Sequence, residues 1–110
     1  MSSTVSVLCA VWNNERYHEA ALRSALVQSR PALEIIVVDD GSTDGSAAIA
    51  ESLPGVTVVL ERHRGVAATR NIALRHARGE LAAWLDSDDI FTSDKIACKP
   101  ATWTRIPRSA

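Results

Sequence analysis

Residues 34–44 read EIIVVDDGSTD, and the reading of this stretch decides the class of fold. The apolar run from Ile35 to Val38 is cut off by two carboxylates, a glycine and small hydroxyl residues. A buried parallel strand that stops at the rim of its sheet has this pattern. Ser42, Thr43 and Asp44 are each good N-cap types for the AAIA segment beyond. Asp39 reads as an acid capping that turn, and Asp44 as a cap or turn residue. Side chains at the carboxyl end of such a strand face the crevice where open α/β sheets bind ligands. Asp86, Ser87, Asp88 and Asp89 close a second apolar run over 81–85. Two acidic strand ends predict one ligand site.

Working outward toward the N-terminus, residues 5–11 are apolar but for Ser6 and read as a buried strand. Helical spacing follows, with Tyr17, Ala21 and Ala25, and Leu22 with Leu26, recurring at four-residue steps. Asn13 or Asn14 is the candidate N-cap, Glu15 and Glu19 suit the positive end of the helix dipole, and Pro31 bounds the far end. In the other direction a short helix over 46–52 is stopped by Pro54 and Gly55. A strand over 56–60, a polar loop over 61–65 and a helix over 66–77 come next. Ala68 with Ile72, and Ala73 with Ala77, give that helix a face of small apolar residues, and Arg78-Gly79 ends it. The alternation β-α-β-α-β-α-β predicts an α/β fold, an open, mainly parallel sheet of Rossmann-like topology with right-handed crossovers. Residues 1–96 form the expected domain, and 97–110 an irregular tail with two prolines and no acid.

Composition narrows the function classes. One domain is expected from 110 residues, with 46% hydrophobic and 23% charged residues. A formal net charge of −1 gives no electrostatic footprint for nucleic acid. No apolar run approaches membrane-spanning length and no signal-like segment opens the chain, so a cytoplasmic location, or a peripheral one at the inner membrane face, is expected. Cys9 and Cys98 form no metal-ligand pattern, and Cys9 reads as a small buried residue. His18, His63 and His76 share no ligand spacing and read as surface residues, and Trp84 reads as core. No GxGxxG follows the first strand, against a dinucleotide fold. A phosphatase reading of LDSDD, with Asp86 as nucleophile, is disfavoured because the motif ends the fourth strand instead of the first. A receiver-like domain would need a late-strand Lys, for which Lys95 and Lys99 are poorly placed.

Four blocks, VSVLCAVWNNERY, EIIVVDDGSTDGS, RGVAATRN and LAAWLDSDD, resemble in order and approximate spacing the family 2 glycosyltransferases of the GT-A fold, over residues 4–96. The resemblance implies inverting sugar transfer from a nucleotide-diphosphate donor, UDP- or dTDP-linked, with Mg²⁺ or Mn²⁺, this half binding the nucleotide. By position, Trp12 would stack on the base, with Ala10 at the strand end beside it and Glu15 in the acidic position that follows. Asp40 would hydrogen-bond the base, and Arg70 would border base and ribose. Asp86-Ser87-Asp88 resembles the DxD motif that holds the ribose and the metal bridging the phosphates, a role suited to carboxylates because a diphosphate leaving group concentrates negative charge. Stacking on Trp12 would contribute about 1–3 kcal/mol. The family's acceptor half, with its catalytic base, would follow the DxD block. The chain is therefore expected to be a truncated donor-binding half that does not turn over alone. The alternative is a non-catalytic nucleotide-binding remnant.

Overall fold

The computed structural model describes residues 4–98 and 103–106. Strand β1 (Val5–Val11), helix α1 (Glu15–Leu26), β2 (Glu34–Asp40), α2 (Ser46–Glu51), β3 (Val56–Glu61), α3 (Val66–His76) and β4 (Leu81–Trp84) alternate as the sequence predicts. The short α4 (Lys95–Cys98) and β5 (Thr104–Arg105) follow. The sheet order is β3-β2-β1-β4-β5, parallel throughout except for β5, which runs antiparallel to β4.

Two-residue alternation along β1 and β2 sorts the core into two layers. Val7, Cys9 and Val11 with Ile35 and Val37 face α1, where Ala21, Leu22 and Ala25 meet them. Leu8, Ile36 and Val38 face the other way and pack with Ala73 and Ala77, from α3 and its end. The small residues at 73 and 77 let α3 lie close to the sheet, as their spacing predicts. Trp84 is half-buried and packs against this second layer. At the amino ends of the strands, Ser6 Oγ donates to Glu34 Oε2 over 2.6 Å and accepts from the Gly79 N–H over 2.8 Å. The Arg78 N–H donates to the same Glu34 oxygen at 2.6 Å.

Two expectations need correction. His18 is not a surface residue: it is fully buried, because with Ala21, Leu22 and Ala25 it occupies the inward stripe of α1. The tail expected to be irregular is ordered where it is described. The free edge of β4 pairs with β5, Ile106 is buried in the second layer, and Trp103 packs on Phe91 with ring centroids 6.3 Å apart. The rest of that stretch, 99–102 and 107–110, lies outside the described residues. No helix among the described residues is long and apolar enough to cross a membrane.

Candidate functional site

Strand order creates the site. From β1 the chain steps to β2 and β3 on one side, whereas β4 lies on the other side of β1. Connections leaving adjacent parallel strands in opposite directions open a crevice at their carboxyl ends. A cleft of about 290 Å³ lies there, lined by Ala10 of β1, Asn14, Val66 and Arg70 of α3, and the segment from Trp84 to Asp88. The small side chain of Ala10 leaves this room at the strand end.

Asp86, Ser87 and Asp88 enter the cleft on a turn closed by the Asp89 N–H donating to the Asp86 carbonyl at 3.0 Å. Asn14 Nδ2 donates to Ser87 Oγ over 2.8 Å and ties this turn to the start of α1. The Arg70 guanidinium lies 5.0 Å from the centroid of the Trp84 ring, within cation–π range, and 3.8 Å from Asp86 Oδ1. That ion pair is solvent-exposed and contributes little to stability. Among the described residues no cluster of three or more His, Cys, Asp or Glu could cage a metal ion. Asp86 and Asp88 carry hard oxygen donors, a chemistry that would fit Mg²⁺ or Mn²⁺ with phosphate oxygens and water completing the shell.

A second corner adjoins the cleft on the same rim, where β1 and β2 pair through Val11 and Asp39. Buried Asp40 accepts from the Arg64 N–H at 2.8 Å and the Gly65 N–H at 3.0 Å, at the entry to α3. Burial works to raise its pKa, but these bonds and the nearby Thr69 hydroxyl and His63 outweigh it and hold the carboxyl below its ordinary value of 3.8. His63 Nδ1 lies 3.0 Å from Asp40 Oδ2, and Trp12 stacks on the His63 ring.

The DGSTD turn is fastened by side chains from the start of α1. Asn13, in the left-handed region at φ 49°, accepts from the Thr43 N–H at 2.8 Å, while its own N–H donates to Ser42 Oγ at 2.9 Å. Asparagine tolerates this conformation better than most residues. Asp39 Oδ1 accepts from the Ser42 N–H at 2.7 Å, the turn role its position predicts. Asp44 accepts from the Ser46 N–H at 2.9 Å and from the Glu15 N–H at 3.1 Å, joining the starts of α1 and α2.

The structure thus brings Ala10, Arg70, Asp86, Ser87 and Asp88 together around one cleft. Trp12 and Asp40 sit in the adjoining corner, linked to the cleft by α3, which begins beside Asp40 and carries Arg70 to Asp86. Glu15 does not line the cleft: its Oε2 accepts from the Gly45 N–H at 2.9 Å and braces the turn. Sequence reasoning missed Asn14 and His63 as site residues. Asn14 is the positional N-cap of α1, but its side chain makes no cap bond and reaches Ser87 instead. His63 stands in an unpatterned polar loop, and only its following Gly65, at φ 99°, hints at a constrained backbone there.

The family model of glycosyl transferase family 2 matches residues 6–97. The putative teichuronic acid biosynthesis glycosyltransferase TuaG of Bacillus subtilis is 41% identical over 97 residues, which cover 84% of this chain and 38% of TuaG. S. aureus TarS 1–349, solved in complex with UDP-GlcNAc, superposes with a TM-score of 0.80 at 31% identity, covering 86% of this chain and 29% of that one. The mannosyltransferase PcManGT from Pyrobaculum calidifontis, solved with GDP-Man and Mn²⁺, gives 0.80 at 34% identity, covering 88% and 31%. The fold is that of these GT-A proteins.

Proposed function

The chain belongs to glycosyl transferase family 2, and from that premise we propose that it forms the donor-binding half of an enzyme transferring sugar from a nucleoside diphosphate. The observation that carries the reading is the convergence of Arg70, Asp86 and Asp88 on the cleft at the strand-order switch. Asp86 and Asp88 would hold Mg²⁺ or Mn²⁺, and the ion, when bound, neutralises the charge that develops on the departing diphosphate. Arg70, positioned by Trp84, adds a fixed positive charge facing the same space. Ser87, held by Asn14, keeps the two acids on a turn of defined shape.

The adjoining corner offers the base an exposed indole and a buried acid, Trp12 and Asp40. UDP-, dTDP- and GDP-linked donors are the candidate class, the last because PcManGT was solved with GDP-Man. Inverting transfer is the mechanism we infer from the family resemblance, with the acceptor hydroxyl attacking opposite the diphosphate. None of the described residues is assigned as its base. A second reading is nucleotide binding without transfer by these 110 residues, which span 38% of TuaG.

Titration calorimetry with UDP tests the reading. Binding should tighten with Mn²⁺, and Asp88→Ala should remove about tenfold or more of that gain, ~1.4 kcal/mol. A metal response unchanged in the variant would end the assignment of Asp88.

A further inference from the structure

Trp12 exposes 52% of its surface, yet one face of its indole is covered. The His63 ring lies on it, with centroids 4.6 Å apart and planes at 27°. The same imidazole places Nδ1 3.0 Å from Oδ2 of Asp40 and 3.2 Å from the Asp40 carbonyl oxygen. Its backbone is pinned. The Arg64 and Gly65 N–H groups bond Asp40, and a Cβ on Gly41 would stand only 2.6 Å from the His63 nitrogen. The side chain, by contrast, is 56% exposed.

A flat ring stacked on Trp12 and paired by a ring nitrogen with Asp40 makes both contacts that a nucleobase would make in this corner. We propose that His63 is a resident stand-in for the base: it occupies the Trp12–Asp40 corner in the ligand-free protein, and the base of a nucleoside diphosphate enters by turning it out. The inference rests on the donor-site reading above and adds a residue that sets the affinity of that site. His63 is a competitor whose contacts are given up when the base arrives. Truncating it leaves the indole face open and the backbone bonds to Asp40 in place.

Proton NMR of the chain during titration with UDP and Mg²⁺ tests this directly. In the free protein the ring current of Trp12 should shift the His63 ring protons upfield, with His18 and His76 as internal references. Saturating UDP should return the His63 signals toward unstacked values. His63→Ala should bind UDP about 2- to 12-fold more tightly, the equivalent of one aromatic pair, and His63→Gln should fall between. Bound UDP with the upfield shift retained, or equal or weaker binding by His63→Ala, overturns the stand-in role and leaves the donor site intact. No UDP binding by any of these proteins overturns the donor reading, and this inference with it. The wild-type titration stands whether or not a variant folds.

Discussion

His18 lies wholly inside the protein, and neither ring nitrogen has a hydrogen-bond partner among the described residues; Oδ2 of Asp39 is likewise unpartnered. Burial lowers the pKa of His18 below its ordinary value of 6.5, and the charges of Asp39 and Asp44 oppose that shift without cancelling it. A depressed pKa means that the unfolded chain takes up the proton first. The stability this group contributes is therefore complete above pH 6.5 and lost as pH falls through the folded-state value. His18→Leu should flatten the dependence of melting temperature on pH below 6.5, checked by thermal unfolding of both proteins in a buffer series. Asp40 titrates lower, so its influence is separable. Asp40→Asn should cost ~1–3 kcal/mol in urea unfolding, because one amide oxygen cannot replace two carboxylate oxygens bonded to backbone N–H groups. At this scale the sequence was partly legible. The acids at 39, 40, 86 and 88 stand out because carboxylates rarely end apolar strands without reason. Asn14 and His63 do not, because their partners Ser87 and Asp40 are distant in the chain and no periodicity links them.

Elements were the most readable level. The continuous apolar runs of β1 and β2 reflect burial on both faces and the helical spacing in α1 and α3 burial on one, and burial is what a hydrophobic pattern records. β5 escaped notice because two residues cannot display a period; an open strand edge, not local preference, orders Thr104 and Arg105. The turn between β2 and α2 depends on its glycine for two separate reasons. Gly41 has φ 76°, and a Cβ there would meet the backbone of His63 at 2.6 Å. Gly41→Ala should destabilise by ~1–3 kcal/mol, since backbone cannot yield as a side-chain tip does. Urea unfolding measures this loss.

For the whole molecule, the donor-site reading predicts linkage between binding and folding. UDP with Mn²⁺ at a hundredfold over its dissociation constant should stabilise the chain by about 2.7 kcal/mol. Differential scanning fluorimetry reads this as a rise in melting temperature that Asp88→Ala reduces. On the donor-half reading, the 110-residue chain incubated with a UDP-sugar and candidate acceptors should bind donor and yield no glycosylated product. Chromatographic detection of product would refute that expectation. The parallel sheet and its acidic rim were legible because three of the four sequence blocks mark strand ends, while RGVAATRN opens α3. The division of that rim into a cleft at Asp86 and a separate corner at Trp12 and Asp40 was not, since it depends on how α3 crosses from Asp40 to Asp86.

The knot of Ser6, Glu34, Arg78 and Gly79 ties β1, β2 and the entry to β4 at the end of the sheet opposite the cleft. Its geometry is indifferent to what the acidic rim grips. Mutagenesis, or drift over generations, can rewrite the loops at one pole while the other keeps the strands in register. On the donor-site reading, this division of labour makes the chain a suitable chassis for retuning donor choice one loop at a time.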